Sequence, residues 1–187
     1  QEDNLESVFT EIEAQIGKIS SILKNDFKGE KGSTQILYTD NSKIVLLGLG
    51  KKPDFSTVLK TFRSFAFQQK KILSSQIGVS LLHHTHEQLP TFLDAVTNGL
   101  SLATYNINLF KSTESEAHPL ATKGATLNFY IKEETTKELQ AAAQKGAEMA
   151  ATQMSVFDLV NAPSNKKQPT DLSKWAKKSG KKYGYKV

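Results

Sequence analysis

The stretch KIVLLGLG, residues 43–50, limits the fold more than any other part of this chain. Its apolar residues are consecutive, so an extended backbone presents them on both faces, which suits a central strand covered by a layer on each side. TQILYT (34–39) reads as a second strand and is separated from the first by DNS alone. A connection that short makes the two antiparallel. Ahead of them, Leu5, Val8, Phe9, Ile12, Ile16, Ile19 and Leu23 recur at three- and four-residue steps, which predicts one amphipathic helix.

Downstream, the two periods alternate. Asp54 and Ser56 are N-cap candidates for a helix carrying Val58, Leu59, Phe62, Phe65, Ala66, Ile72 and Leu73 on one side. IGVSLL (77–82) reads as a buried strand. Pro90 suits a first helical turn, after which Phe92, Leu93, Val96, Leu100 and Ala103 hold one face and Gly99 permits close packing. ATLNFYI (125–131) is a strand reached through the polar run KSTESEAHPLATKG. From Glu133 an Ala-rich run without proline until Pro163 predicts the longest helix, ending near Val160. The order α-β-β-α-β-α-β-α predicts an α/β domain, a mixed β-sheet flanked by helices. Asn161, Pro163 and Pro169 then break the pattern, and a helix capped by Thr170 or Asp171 restarts with Leu172, Trp175, Ala176 and Ser179 on its packing side. Gly184 ends it, and YKV heads into extended structure. The expected organisation is a domain over 1–133, a connector helix over 134–160, and the opening of a further domain over 161–187.

Composition removes several functions. The chain has no Cys, which excludes disulfides, thiolate metal sites and a cysteine nucleophile. No apolar run approaches the roughly 18–20 residues needed to span a bilayer as a helix. The net charge of +5 suggests a nucleic-acid partner only until it is located. Residues 166–187 hold eight Lys and one Asp, which leaves 16 basic against 18 acidic groups in the rest, and Arg63 is the single Arg. A basic footprint requires clustering on the folded body, so the charge argues against nucleic acid.

Four constellations carry possible chemistry. HHTH places His83, His84 and His86 at the end of a predicted strand; if the strand persists, His84 and His86 share a face and two imidazoles can meet one metal ion. A polar strand-end turn is the other reading, since no third ligand is evident. GLGKK follows a strand and precedes a helix, where phosphate loops lie, but Pro53 occupies the third glycine position of G-x-G-x-x-G and no P-loop pattern is present. No G-x-S-x-G occurs, and Ser and His residues alone do not make a triad. The pairs Glu133/Glu134 and Glu114/Glu116 read as a helix first turn and a solvated loop. Residue chemistry alone therefore assigns no catalytic, cofactor-binding or metal-binding residue.

The fourth constellation is DLVNAPSN (158–165), a helix end, a breaker and a restart. With the following KKQPTDLSKWAKKSGKKYGYKV, it resembles the segment by which leucyl aminopeptidases of the M17 (cytosol aminopeptidase) family enter their catalytic domain. KIVLLGLGKK looks like that family's strand and Gly-x-Gly turn, TNGLSLATYNINLFKS is similar to its glycine-containing helix, and the Ala-rich helix corresponds to its interdomain connector. The resemblance spans 26–187. It implies a macro-domain-like N-terminal α/β domain joined to a catalytic domain that holds two divalent metals (Zn, Mn or Mg) and removes N-terminal amino acids from peptides. It also implies a cytoplasmic hexamer, with the chain's own catalytic domain as partner. The family's metal-binding motif N-T-D-A-E-G-R is absent from these residues, so no metal ligand is carried over and the chain alone is expected to be inactive. A macro-like module that binds a nucleotide, ADP-ribose or nucleic acid is the alternative.

Overall fold

The computed structural model describes residues 5–107 and 116–187. Its elements run α1 (Leu5–Ile16), α2 (Ser21–Asp26), β1 (Thr34–Tyr38), β2 (Lys43–Leu47), α3 (Phe55–Gln68), β3 (Gln76–Ser80), α4 (Leu89–Ala103), β4 (Thr126–Tyr130), α5 (Lys137–Asn161) and α6 (Pro169–Tyr183). The mixed α/β class and the α-β-β-α-β-α-β-α order are as the sequence predicts, with one helix divided. The expected single helix over 5–23 stops at Ile16 because Gly17 takes φ +84°, and its N–H closes on the Glu13 carbonyl at 3.0 Å. The Ser20 hydroxyl then accepts from Ile22 N–H and starts α2.

The strands of the expected mixed sheet lie in two pairs. Among the described residues, β1 and β2 form an antiparallel pair, with Ile36 opposite Val45, and β3 and β4 form a separate parallel pair, with Val79 opposite Phe129. Both orientations are present, but among the described residues no ladder joins the pairs, and there β2 pairs with β1 alone.

The main core lies under the helices. Val58 and Ala66 of α3, Leu93, Val96 and Leu100 of α4 and Leu139 of α5 pack together, with Leu81 from the strand side. A second cluster joins Phe9 and Ile12 of α1 to Ile19, Phe27 and Leu46. Helix α4 is the keystone, buried between α3 and α5. A Cβ at Gly99 would lie 2.5 Å from the Leu59 carbonyl of α3, and one at Gly146 of α5 would collide with the Asp94 carbonyl of α4, so two glycines set both helix–helix distances.

Element ends follow local chemistry. The Asp54 carboxylate accepts from Thr57 N–H at 2.7 Å and caps α3, which ends at Gln68 rather than running on through Ile72 and Leu73. Thr136 caps α5, so that helix begins at Lys137, and Glu133 and Glu134 lie before it rather than in its first turn. Gln168 and Asp171 make a reciprocal capping box on α6, with Pro169 inside its first turn. Gly184 ends α6 at φ +77°, and Tyr185 N–H returns to the Gly180 carbonyl. Residues 185–187 form no strand.

Candidate functional site

The three clustered histidines are dispersed by the fold. Strand β3 ends at Ser80 and the chain turns, with His84 N–H donating to the Leu81 carbonyl, so the strand does not continue through the histidines. His83 Nε2 pairs with Glu11 of α1 at 2.8 Å. His86 Nδ1 pairs with Glu133 just beyond β4. His84 turns inward and packs at a tilt against Phe92, with ring centroids 4.0 Å apart. Each imidazole thus faces a different element, and the described residues hold no group of three potential metal ligands.

Their electrostatics differ accordingly. Burial pushes His84 down to about 4, so it is neutral at physiological pH, and its Nε2 is enclosed without a hydrogen-bond partner. The hydrogen bond to Glu133, reinforced by its charge, raises the pKa of exposed His86. His118, outside the motif, is buried and its Nε2 bonds the Ala66 carbonyl at 3.0 Å, which ties the segment before β4 to α3. These are structural contacts between elements.

Two amides of the GLGKK turn are already bonded within the fold. Gly48 N–H donates to the Ser33 carbonyl at 2.8 Å and Gly50 N–H to the Gly29 carbonyl at 2.9 Å. A Cβ at Gly48 would strike Glu30 and Ser33, so the glycine serves close packing of two turns. The N-terminus of α3 is already occupied by the Asp54 carboxylate, whose pKa its bonds to Thr57 lower.

Two unsatisfied features remain. The first is a cavity of ≈ 940 Å³ between β2 and β3, floored by α1 on one side and by aromatic residues of α3 and α4 on the other. Sequence reading missed it, because its cause is strand pairing between distant segments. The second is the outer surface of the C-terminal helices. Met149, Val156 and Val160 lie exposed on α5, and Leu172 and Trp175 on α6, with Val187 beyond it. Tyr105 anchors the α5 end by an edge contact to Phe157, with ring centroids 5.2 Å apart, and its hydroxyl meets Asn161.

Comparison with known proteins gives one consistent answer. A family model described as the cytosol aminopeptidase family, N-terminal domain, matches residues 2–114. A probable cytosol aminopeptidase of Alkaliphilus metalliredigens is 28% identical over 97% of this chain and 38% of its own length. Another from Microcystis aeruginosa is 30% identical over 87% of this chain and 32% of its own length. Among solved structures, a mutant tomato leucine aminopeptidase superposes with a TM-score of 0.76 at 23% identity, covering 93% of this chain and 34% of that one. The bottromycin maturation enzyme BotP in complex with Mn matches at 0.61 and 18% identity, covering 89% of this chain and 34% of that one. The chain thus spans between about a third and two fifths of the length of these relatives.

Proposed function

Because this chain belongs to the cytosol aminopeptidase family and carries its N-terminal domain, we propose that it is the non-catalytic scaffold of a metal-dependent enzyme that removes N-terminal amino acids from peptides. The observation that carries this reading is the pair of uncovered apolar faces on α5 and α6. A helix facing only water on its outer side gains nothing by displaying Met149, Val156 and Val160, or Leu172 and Trp175, whereas a second domain packed there would bury them. In this reading 134–160 is the connector, 161–187 opens the catalytic domain, and the two divalent metals belong to residues beyond these. Hexameric assembly and a cytoplasmic location follow from the same family reading; no helix among the described residues is long and apolar enough to cross a membrane.

The alternative of a macro-like module for nucleotide, ADP-ribose or nucleic acid is less well supported, since the amides of Gly48 and Gly50 are already bonded. The test is hydrolysis of leucine p-nitroanilide by this chain with Mn²⁺ or Zn²⁺. No turnover above the metal blank is expected. Turnover proportional to protein concentration would overturn the scaffold reading.

A further inference from the structure

Helix α3 carries a polar strip on the side turned toward the start of β1, and a second pocket lies between the two. Its volume is ≈ 330 Å³, at the small end of the roughly 300–1,000 Å³ that ligand sites occupy. Lys60, Thr61, Ser64 and Gln68 line it from α3, where steps of three and four residues place them along one strip of the helix. Lys31 and Thr34 line it from the turn before β1 and from the first residue of that strand. Thr61 and Phe65 are buried and make the floor, while Lys60, Ser64 and Gln68 are exposed and make the rim.

The wall formed by the turn is fixed by the fold itself. Gly32 N–H donates to the Gly48 carbonyl at 2.9 Å, Ser33 N–H to the Glu30 carbonyl at 2.9 Å, and Gly48 N–H returns to the Ser33 carbonyl at 2.8 Å. Lys31 is held against the helix as well, its Nζ donating to the Thr57 hydroxyl at 3.2 Å. A pocket set in this way loses little conformational freedom when it is filled. Its chemistry is one-sided. From Lys31 to Thr39 and from Phe55 to Lys71 the sequence holds no Asp or Glu, so the lining has two ammonium groups and no carboxylate. Asp54 caps α3 and interacts with Lys31, whereas no carboxylate pairs with Lys60 among the described residues. The hydroxyls of Thr34, Thr61 and Ser64 and the carboxamide of Gln68 add further donors.

We infer that this pocket binds a small phosphate monoester, with the phosphoryl group between Lys31 and Lys60 and the hydroxyls of Thr61 and Ser64 donating to its oxygens. Two cations with several neutral donors suit a group that spreads about two negative charges over three oxygens, as a phosphoryl group does. A carboxylate has one charge and two oxygens, and the guanidinium fork that grips it in two-point fashion is missing from the lining. The Phe65 floor and the Gln68 and Thr34 rim offer an apolar surface and hydrogen bonds to the organic part of the ester. Such a site needs only α3 and the turn before β1, and it is independent of what docks on α5 and α6.

The test is a titration of the ¹⁵N-labelled chain with ribose 5-phosphate, with inorganic phosphate and with ribose, at an ionic strength held constant with NaCl. Amide resonances of 31–34 and 60–69 should move saturably with ribose 5-phosphate and stay in place with ribose. Inorganic phosphate should move the same resonances with a higher midpoint, because it lacks the organic part; a lower midpoint than that of the ester would overturn the assignment to a monoester. Lys60 is exposed, so K60Q keeps the fold, and its midpoint should rise about fivefold or more through loss of one charge-assisted hydrogen bond. K60R should bind nearly as the parent does, and T61V, which replaces the buried hydroxyl with a methyl of similar size, should weaken binding with an unchanged thermal midpoint. Shifts that do not saturate, that lie outside these two stretches, or that persist unaltered in K60Q would overturn the proposal.

Discussion

Replacing Gly99 with alanine sets two effects of opposite sign against each other. Gly99 lies inside α4, where Ala is favoured over Gly by about 1 kcal/mol through helix propensity. The added Cβ would stand 2.5 Å from the Leu59 carbonyl oxygen and 3.2 Å from Arg63 N, both main-chain atoms of α3. Carbon and carbonyl oxygen normally approach to about 3.3–3.6 Å, so α3 must retreat by about 0.8 Å. A gap of that size forfeits a quarter to a half of each dispersion contact across the interface, and that interface includes Val58 and Ala66, both fully buried. Overpacking of this kind costs about 1–3 kcal/mol, with the helix gain included only if the backbone can yield. The expected result is net destabilisation of about 1–3 kcal/mol by urea unfolding, with a midpoint lowered by roughly 3–10 °C. A G99A variant as stable as the parent, or more stable by the propensity difference, would show that α3 and α4 do not meet at this glycine.

Further outcomes follow from single contacts. G146A should be destabilising in the same assay for the same reason, since its Cβ would meet the Asp94 carbonyl of α4. T136A should cost about 1 kcal/mol by removing the N-cap of α5, whereas T136S should be nearly neutral. His84 has its folded pKa lowered from 6.5 to about 4 by burial, so its contribution is present above pH 6.5 and lost as pH falls through 4; discounted for its partial exposure, about 1–2 kcal/mol should disappear over that window, and an H84L variant should lose less stability between pH 7 and 4 than the parent. His86 is the reverse case: its folded pKa is raised by Glu133, so its contribution is present below pH 6.5 and fades as pH climbs through the raised value. In E133Q the His86 resonance should titrate at a lower pH, and an unchanged titration would remove the pair from the account.

The helices were readable in the sequence where their ends carry chemistry, and less so elsewhere. Asp54, Pro90 and Gly184 stand where capping and termination rules put them, and Gly99 is the close contact its place on the α4 face suggests. Gly17 was hidden because Ile19 and Leu23 happen to keep the helical step across the break it makes. Gly146 was hidden inside an Ala-rich run, where a small residue draws no notice, although it fixes the α4–α5 distance. Leu81 and Leu82 prolonged the apparent third strand and so carried the histidines onto it. Their true partners, Glu11 and Glu133, lie 72 and 47 residues away and leave no local signature. The cavity between β2 and β3 is the same kind of feature. The apolar run of β2 announced a central strand, but which edge would be open depends on pairing between segments far apart in the chain.

The uncovered faces of α5 and α6 give the most direct test that this chain is a scaffold for a larger enzyme. Hydrogen exchange followed by mass spectrometry on this chain and on the full-length polypeptide compares the same peptides, 149–160 and 169–183, in both settings. Slower exchange in the full-length protein at these two stretches, with α3 and α4 unchanged, is the predicted result. Equal exchange at both stretches would mean that nothing docks there, and would contradict the account.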